Sequence, residues 1–459
     1  MQFDLNSICQ ATGGSLTIQK GEPKYFRVTT DSRDIRNGDL FIALKGENFD
    51  GHDYINEALQ KGASGAMVTN TDGILTDLYK EVAIIQVKDT LAALQHLAAA
   101  HRNRFELPVI AITGSVGKTT TKDILADFLQ NNYQVLKTKG NFNNEIGLPL
   151  TLLRLDSHYE VAVVELAMRS RGEIAHLASL CRPTIAIITN VEPVHLETMG
   201  SLKNIAQAKC EVLQKVEEFA VINGDNDYLI KAAEDYTCSR YTFGYNKDCD
   251  FRVINAHINN RKLWIKANIL ENQIQMQFPL PTLRLAPVIT AAAGVATLMG
   301  INMADIQTSL SGYEPGGNRL SMINLPQGGL IINDTYNANP LSMAAAVETA
   351  TELAAGRRIV AVLGDMFELG DYELQGHMEV GRKVALSGVD LLVTIGTRAE
   401  NIARGARESG MNEQQMAHFT DRNEGYEYLS KNLSGQDVIL FKASRGMKLE
   451  LIVDKWLGK

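Results

Sequence analysis

The stretch "PVIAITGSVGKTTTKDILADFLQNN", residues 108–132, decides the fold. The run from Pro108 to Thr113 has the character of a fully buried strand, a glycine-bearing loop follows, and from Lys118 the apolar residues recur at helical spacing. Gly114 and Gly117 let backbone amides turn toward a phosphate, and the helix beginning near Lys118 directs its positive end at the same point. Ile112 stands where the usual phosphate-binding loop has its first glycine, so this is a shortened form of it. The residues expected on ATP are Gly114, Ser115, Val116, Gly117, Lys118, Thr119 and Thr120, with Lys118 on the β- and γ-phosphates and the Thr119 hydroxyl on magnesium. A plain glycine turn is the alternative, but a GKT triplet between a buried strand and an amphipathic helix favours phosphate.

Downstream the pattern repeats. "VAVVEL" (161–166), "TIAIITN" (184–190) and "FAVIN" (219–223) read as further strands, with helical "GEIAHLASLC" and "SLKNIAQAKCEVLQKV" between them, which implies a parallel sheet covered on both faces. From Asp250 to Pro281 the residues alternate, as in an antiparallel addition at a sheet edge. Leu285 to Ala304 carries no charge over a length that could cross a bilayer, yet its Ala, Gly and Thr content and Pro287 favour a buried core helix. After the turn-rich "SGYEPGGNRLSM" (311–322), the runs "GLIIND", "RIVAVLGDM", "DLLVTIG" and "DVILFKAS" each precede a helical stretch and form a second open sheet. Upstream, "VTTDSRDIRNGDLFIALKGENFDGHDYINEAL" (28–59) reads as a smaller α/β unit whose loops either bind a ligand or use Gly46 and Gly51 merely for tight turns. The expected fold is α/β in three domains: a small N-terminal unit (1–106), a central parallel-sheet domain with the phosphate loop (107–314) and a Rossmann-like C-terminal domain (315–459).

Composition agrees. A chain of 459 residues with 45% hydrophobic content suits about three domains at ~150 residues each. A net charge of -8 argues against nucleic acid as a partner. Five scattered cysteines without a CxxC point to a reduced, cytoplasmic protein without structural zinc, and "MQFDLNSICQ" has no secretory character. No membrane span and a monomeric state are expected.

Several polar residues follow strand ends, where ligands of open α/β sheets gather. Glu165 closes an apolar strand, so it either binds a cation such as Mg²⁺ or pairs with Arg169 or Arg171. His195 is a metal ligand or a structural hydrogen-bonding residue. Lys209 alone reads as a solvated helix lysine. Asn141, Asn143 and Asn144 suit either a polar substrate or a turn, as do Asp334, Asn337 and Asn339. Lys442, Ser444 and Arg445 stand at a strand-to-helix junction that fits an anion. These residues describe an ATP-dependent magnesium enzyme and leave its substrate open.

Together, "TGSVGKTTTK", "GNFNNEIGLPLTLL", "VVELAMRSRGEI", "ITNVEPVHLE" and "AKCEVL" resemble the Mur ligases of bacterial cell-wall synthesis over nearly the whole chain. "NDTYNANPLSM", "LGDMFELG" and "KASRGMKLE" are similar to the branch that adds D-alanyl-D-alanine to UDP-N-acetylmuramoyl-tripeptide through an acyl phosphate. The resemblance implies that Lys118 and Thr119 hold the phosphates and one Mg²⁺, and that Glu165 and His195 take a second. Lys209 would serve beside them as a carbamate. Arg319, Asp334 and Asn337 would reach ATP, and Lys442, Ser444 and Arg445 the dipeptide. Asn143 and Asn144, with Ser32, Lys45, Gly46, Gly51 and His52 of the first unit, would contact the UDP-linked substrate. The chain departs from the family pattern at Ala167, Glu192 and Ala443, each in place of glycine, at Leu341 in place of an acid, and at Arg284 and Leu285 in place of a His-Asn pair. Rival readings are a sibling ligase adding a diamino acid, a folylpolyglutamate synthetase and a homologue without turnover.

Overall fold

The computed structural model describes residues 3–25, 27–194, 196–313 and 317–458. Three sheets follow one another along the chain. The first contains β1 (Ser15–Lys20), β2 (Arg27–Thr29), β3 (Asp39–Ile42), β4 (Gly65–Val68) and β5 (Val82–Gln86), in the order β1-β5-β4-β3-β2. Only β1 runs antiparallel to its neighbour.

The central sheet contains β6 (Val109–Thr113), β7 (Val135–Lys137), β8 (Val161–Glu165), β9 (Ile185–Ile188), β10 (Phe219–Asn223), β11 (Ser239–Gly244), β12 (Phe251–Asn259), β13 (Lys262–Ile269) and β14 (Asn272–Phe278). Their order is β14-β13-β12-β11-β10-β9-β6-β8-β7. Every residue of β6, β8 and β9 is buried, as a sheet covered on both faces requires. The alternating segment forms the antiparallel ribbon β12-β13-β14 at the edge. Because β6 lies between β8 and β9, its carboxyl end is a topological switch point, where an open sheet leaves a crevice.

The uncharged segment after this ribbon is a buried helix, Leu285–Leu298, but it stops short of Ala304. Gly300 takes φ +88°, and the Asn302 side chain accepts from Asp305 N at 2.9 Å to start a separate helix, Met303–Ser311. The last sheet contains β15 (Ser321–Asn324), β16 (Leu330–Asp334), β17 (Ile359–Gly364), β18 (Leu391–Ile395), β19 (Met416–Phe419) and β20 (Val438–Lys442), in the order β15-β16-β20-β17-β18-β19. It is parallel apart from the edge strand β15.

One apolar cluster joins the first unit to the central sheet: Leu94 and Leu97, on the helix Thr90–Arg102, belong to the same core as Leu148, Leu152, Ile174 and Leu177. At the end of that helix the buried Arg102 guanidinium donates to the carbonyls of Phe105 at 2.6 Å and Cys181 at 2.9 Å. The C-terminal sheet closes two clusters of its own, one on each face. It meets the central domain where Gly370, at φ +54°, lies so close to the Glu197 backbone that a Cβ would stand 2.8 Å from Glu197 Cα. All five cysteines are free, and among the described residues no helix is long and apolar enough to cross a membrane.

Candidate active site

The expected phosphate loop lies at the carboxyl end of β6. Gly114 adopts φ +147° and Gly117 φ +82°, both in the region that favours glycine. A side chain at 114 would also collide with the Thr189 hydroxyl at the end of β9. The loop is tied to that neighbour: Val116 N donates to Asn190 Oδ1 at 3.0 Å, and Thr189 Oγ1 donates to Val116 O at 2.6 Å. The Ser115 hydroxyl both donates to Glu192 O and accepts from Glu192 N. Lys118 opens the helix Lys118–Leu129 and folds back to donate to Gly114 O at 2.8 Å. Burial lowers its pKa, Glu165 works against that shift, and Arg319 adds to it.

On the other flank, β8 brings Glu165 to the rim in register with Ile112. Its carboxylate accepts from Thr119 Oγ1 and from Asn143 Nδ2, each at 2.8 Å. The anticipated alternative, an ion pair with Arg169 or Arg171, does not form; Arg171 instead reaches Gln207 at 3.2 Å. A carboxylate, a hydroxyl and an amide oxygen are donors that suit a hard cation. No group of three or more His, Cys, Asp or Glu stands together among the described residues. An ion held here would draw on oxygens of a bound phosphate as well, which is how Mg²⁺ is usually held. His195 lies outside the described residues.

Lys209 departs from its simplest reading. It is 3% exposed on the helix Leu202–Cys210, and its ammonium has no hydrogen-bond or ion-pair partner among the described residues. Burial holds its pKa well below the ordinary lysine value, and the charge of Lys118 pushes the same way. Lys209 does not itself line the cavity described next.

A cavity of about 1030 Å³ opens over the phosphate loop, walled on one side by Ser115–Thr120, Asn143 and Glu165 and on the other by the C-terminal domain. Arg319, Asp334, Asn337, Lys442, Ser444 and Arg445 all line it. Several are already engaged with one another. The parallel register of β16 and β20 pairs Asp334 with Lys442, so Lys442 Nζ meets Asp334 Oδ2 at 2.5 Å, and the same ammonium donates to Asn337 O at 3.0 Å. Ser444 Oγ accepts from Phe367 N at 2.9 Å. Of these, only the two arginines keep free charge: Arg319 lies 3.8 Å and Arg445 5.3 Å from the Tyr336 ring centroid, both in cation–π contact.

The remaining expected residues lie elsewhere. Asn144 Oδ1 accepts from Gly147 N at 2.9 Å at the start of the helix Gly147–Leu152, a local structural task. Ser32, Lys45, Gly46, Gly51 and His52 lie in the first unit, away from this cavity. There His52 Nδ1 shares a 2.6 Å hydrogen bond with Asp50 and Nε2 accepts from Thr69 N at 2.9 Å, so both ring nitrogens are occupied. Gly51 is a glycine because a Cβ would press on the Leu44 backbone at 2.7 Å.

Three family models match the chain: the Mur ligase family catalytic domain over residues 24–102, the Mur ligase middle domain over 112–296 and the Mur ligase glutamate ligase domain over 318–445. A Bacillus subtilis protein named UDP-N-acetylmuramoyl-tripeptide–D-alanyl-D-alanine ligase is 38% identical over 454 residues, 98% of this chain and 97% of that one. The chain belongs to the Mur ligase family. The structure of MurF from Acinetobacter baumannii superposes with a TM-score of 0.89 at 29% identity, covering 100% of this chain and 99% of that one. MurF from Thermotoga maritima, solved in complex with ADP, gives 0.79 at 28% identity, covering 94% of this chain and 96% of that one. In this Mur ligase the residues that motif reading passed over are Asn190, which braces the phosphate loop, and Tyr336, which the two arginines share. Asn190 closes a strand run and Tyr336 sits inside "NDTYNANP", so position was the available signal in each case.

Proposed function

We propose that this Mur ligase joins D-alanyl-D-alanine to UDP-N-acetylmuramoyl-tripeptide at the expense of ATP. The observation that carries the reading is the single cavity whose walls are the phosphate loop with Glu165 on one side and Arg319, Asp334 and Arg445 on the other. That arrangement lets two polar substrates meet over a triphosphate. The names of the relatives, and the ADP held by the Thermotoga maritima structure, supply its chemical identity.

In the first step a carboxylate oxygen of the tripeptide bonds to the γ-phosphorus as the bond to the β-phosphate oxygen breaks, giving acyl phosphate and ADP. Lys118 would exchange the Gly114 carbonyl for phosphate oxygens, and the loop amides would orient the chain of phosphates. Magnesium, held by Thr119 and Glu165 with His195 at a second ion, would neutralise charge on the transferring group. In the second step the neutral dipeptide amine attacks the acyl carbon, inorganic phosphate leaves, and the nitrogen gives up one proton to the departing phosphate or to solvent. Arg445 and Arg319 provide the cationic edge for the dipeptide carboxylate and the nucleotide respectively. The Lys442 ammonium reaches the dipeptide only by loosening its contact with Asp334.

Lys209 is read as a carbamate. A buried amine with a depressed pKa is neutral more readily, and a neutral amine adds to carbon dioxide with loss of one proton. Such an anion would stabilise a nearby magnesium ion where an ammonium would repel it. The first unit is assigned to the UDP end of the acceptor, with Ser32, Lys45 and the loop around Gly46, Gly51 and His52 facing it. We read the enzyme as a monomer, and water-soluble nucleotide substrates suit a cytoplasmic one.

Phosphate release tests the reading. With ATP, Mg²⁺ and UDP-N-acetylmuramoyl-tripeptide, turnover should require D-alanyl-D-alanine. Equal rates with lysine or diaminopimelate in its place would reassign the chain to the sibling ligase.

A further inference from the structure

Glu192 follows β9 and is tied to the phosphate loop through Ser115. Its Oε1 accepts from Asn190 Nδ2 at 3.2 Å, while Oε2 is shut off from solvent with no hydrogen-bond partner among the described residues. A carboxyl oxygen held this way costs free energy until a donor reaches it. Burial raises the Glu192 pKa and the Arg284 guanidinium opposes that shift, so the two groups feel one another. Arg284, exposed just before the helix Leu285–Leu298, forms no hydrogen bond or ion pair among the described residues, and both side chains line the cavity.

Their place in the sheet says what they face. The metal side of the site, Thr119 and Glu165, lies on the β8 flank of β6; Glu192 lies on the opposite, β9 flank. A nucleotide with its phosphates on the loop and its γ-phosphate toward Glu165 extends its nucleoside along the β9 flank. There Leu283 and Leu285 offer apolar surface beside the two charged groups. We infer that Glu192 and Arg284 form a base-reading pair, the carboxylate accepting from the exocyclic amino group of a purine and the guanidinium donating to its ring nitrogen or carbonyl. The inference rests on the ATP-site reading above. Adenine presents one amino donor and ring acceptors; guanine presents two donors to a carboxylate and two acceptors to an arginine. The pair therefore satisfies both bases and selects against a purine without an amino group.

The test crosses the side chain with the ligand group in a double-mutant cycle. Measure kcat/KM for ATP, GTP and purine riboside triphosphate, which lacks the amino group, in the wild type and in Glu192→Ala. The wild type should use ATP and GTP within about tenfold of one another and purine riboside triphosphate about tenfold or more below ATP, the usual worth of a hydrogen bond to a charged group. In Glu192→Ala the ATP preference over purine riboside triphosphate should shrink to within about threefold. Should the variant turn over too slowly, the same ratio is read from calorimetric binding of ADP and purine riboside diphosphate. An unchanged ratio in the variant, or no ATP preference in an active wild type, overturns the base-reading pair alone. A wild type that turns over no nucleotide with both substrates present overturns the ligase reading and this inference with it.

Discussion

At the scale of single residues, Lys209 is the most unusual group in the molecule. An ammonium without a partner among the described residues, 3% exposed, should be a net cost to the fold. The direction with pH follows from proton counting. An unfolded lysine keeps its proton to near the ordinary value of 10.5, whereas folded Lys209 releases it well below that. Between the two values the unfolded chain binds more protons, so this residue's contribution to stability rises with pH. In buffer free of carbon dioxide, Lys209→Met should therefore be more stable than the wild type at pH 7, and its advantage should shrink toward pH 9 by up to about 1.4 kcal/mol per pH unit. Denaturant midpoints at the two pH values provide the check, and a variant less stable at pH 7 contradicts the account. Sequence could not announce this lysine, because the same residue on a solvated helix face looks identical in one dimension. Lys118, Thr119 and Glu165 were legible because their spacing and strand ends already imply the chemistry.

At the scale of elements, parallel register explains what motif reading could not. Asp334 ends β16 and Lys442 ends β20, 108 residues apart, and the pairing of these strands sets them side by side. Read separately, each belonged to a different ligand; folded, they form a buried ion pair with side chains 13% and 3% exposed. Removing one partner leaves the other charge unpaired, so Lys442→Met should lower stability by about 3–5 kcal/mol. The double variant Lys442→Met with Asp334→Leu should recover most of that loss, since an apolar pair of similar volume replaces a buried salt bridge at little cost. Chemical denaturation of the wild type and the two variants decides it: a double variant as unstable as the single one would show that the strands, not the charges, are at fault. The strands themselves were readable from sequence, as were the helices after them. The edge strands β15 and β19 were not, since they are short and only half-buried.

At the scale of the whole molecule, the division of the apolar cores has a calorimetric consequence. The first unit and the central sheet share one core, locked further by the hold of Arg102 on carbonyls across the junction, whereas the C-terminal sheet closes two clusters of its own and touches the central core through the half-buried Met322. Three sheets should therefore melt as two cooperative blocks. Scanning calorimetry of the ligand-free protein should resolve two endotherms, the larger from the first two domains, and a single symmetrical endotherm would contradict that partition. A nucleotide analogue touching both walls of the cavity lifts each block by mass action, and it couples them because neither can unfold without releasing it. The two endotherms should then move upward and draw together as analogue is added. Heat, in that sense, reports whether the two lobes have recognised the same ligand.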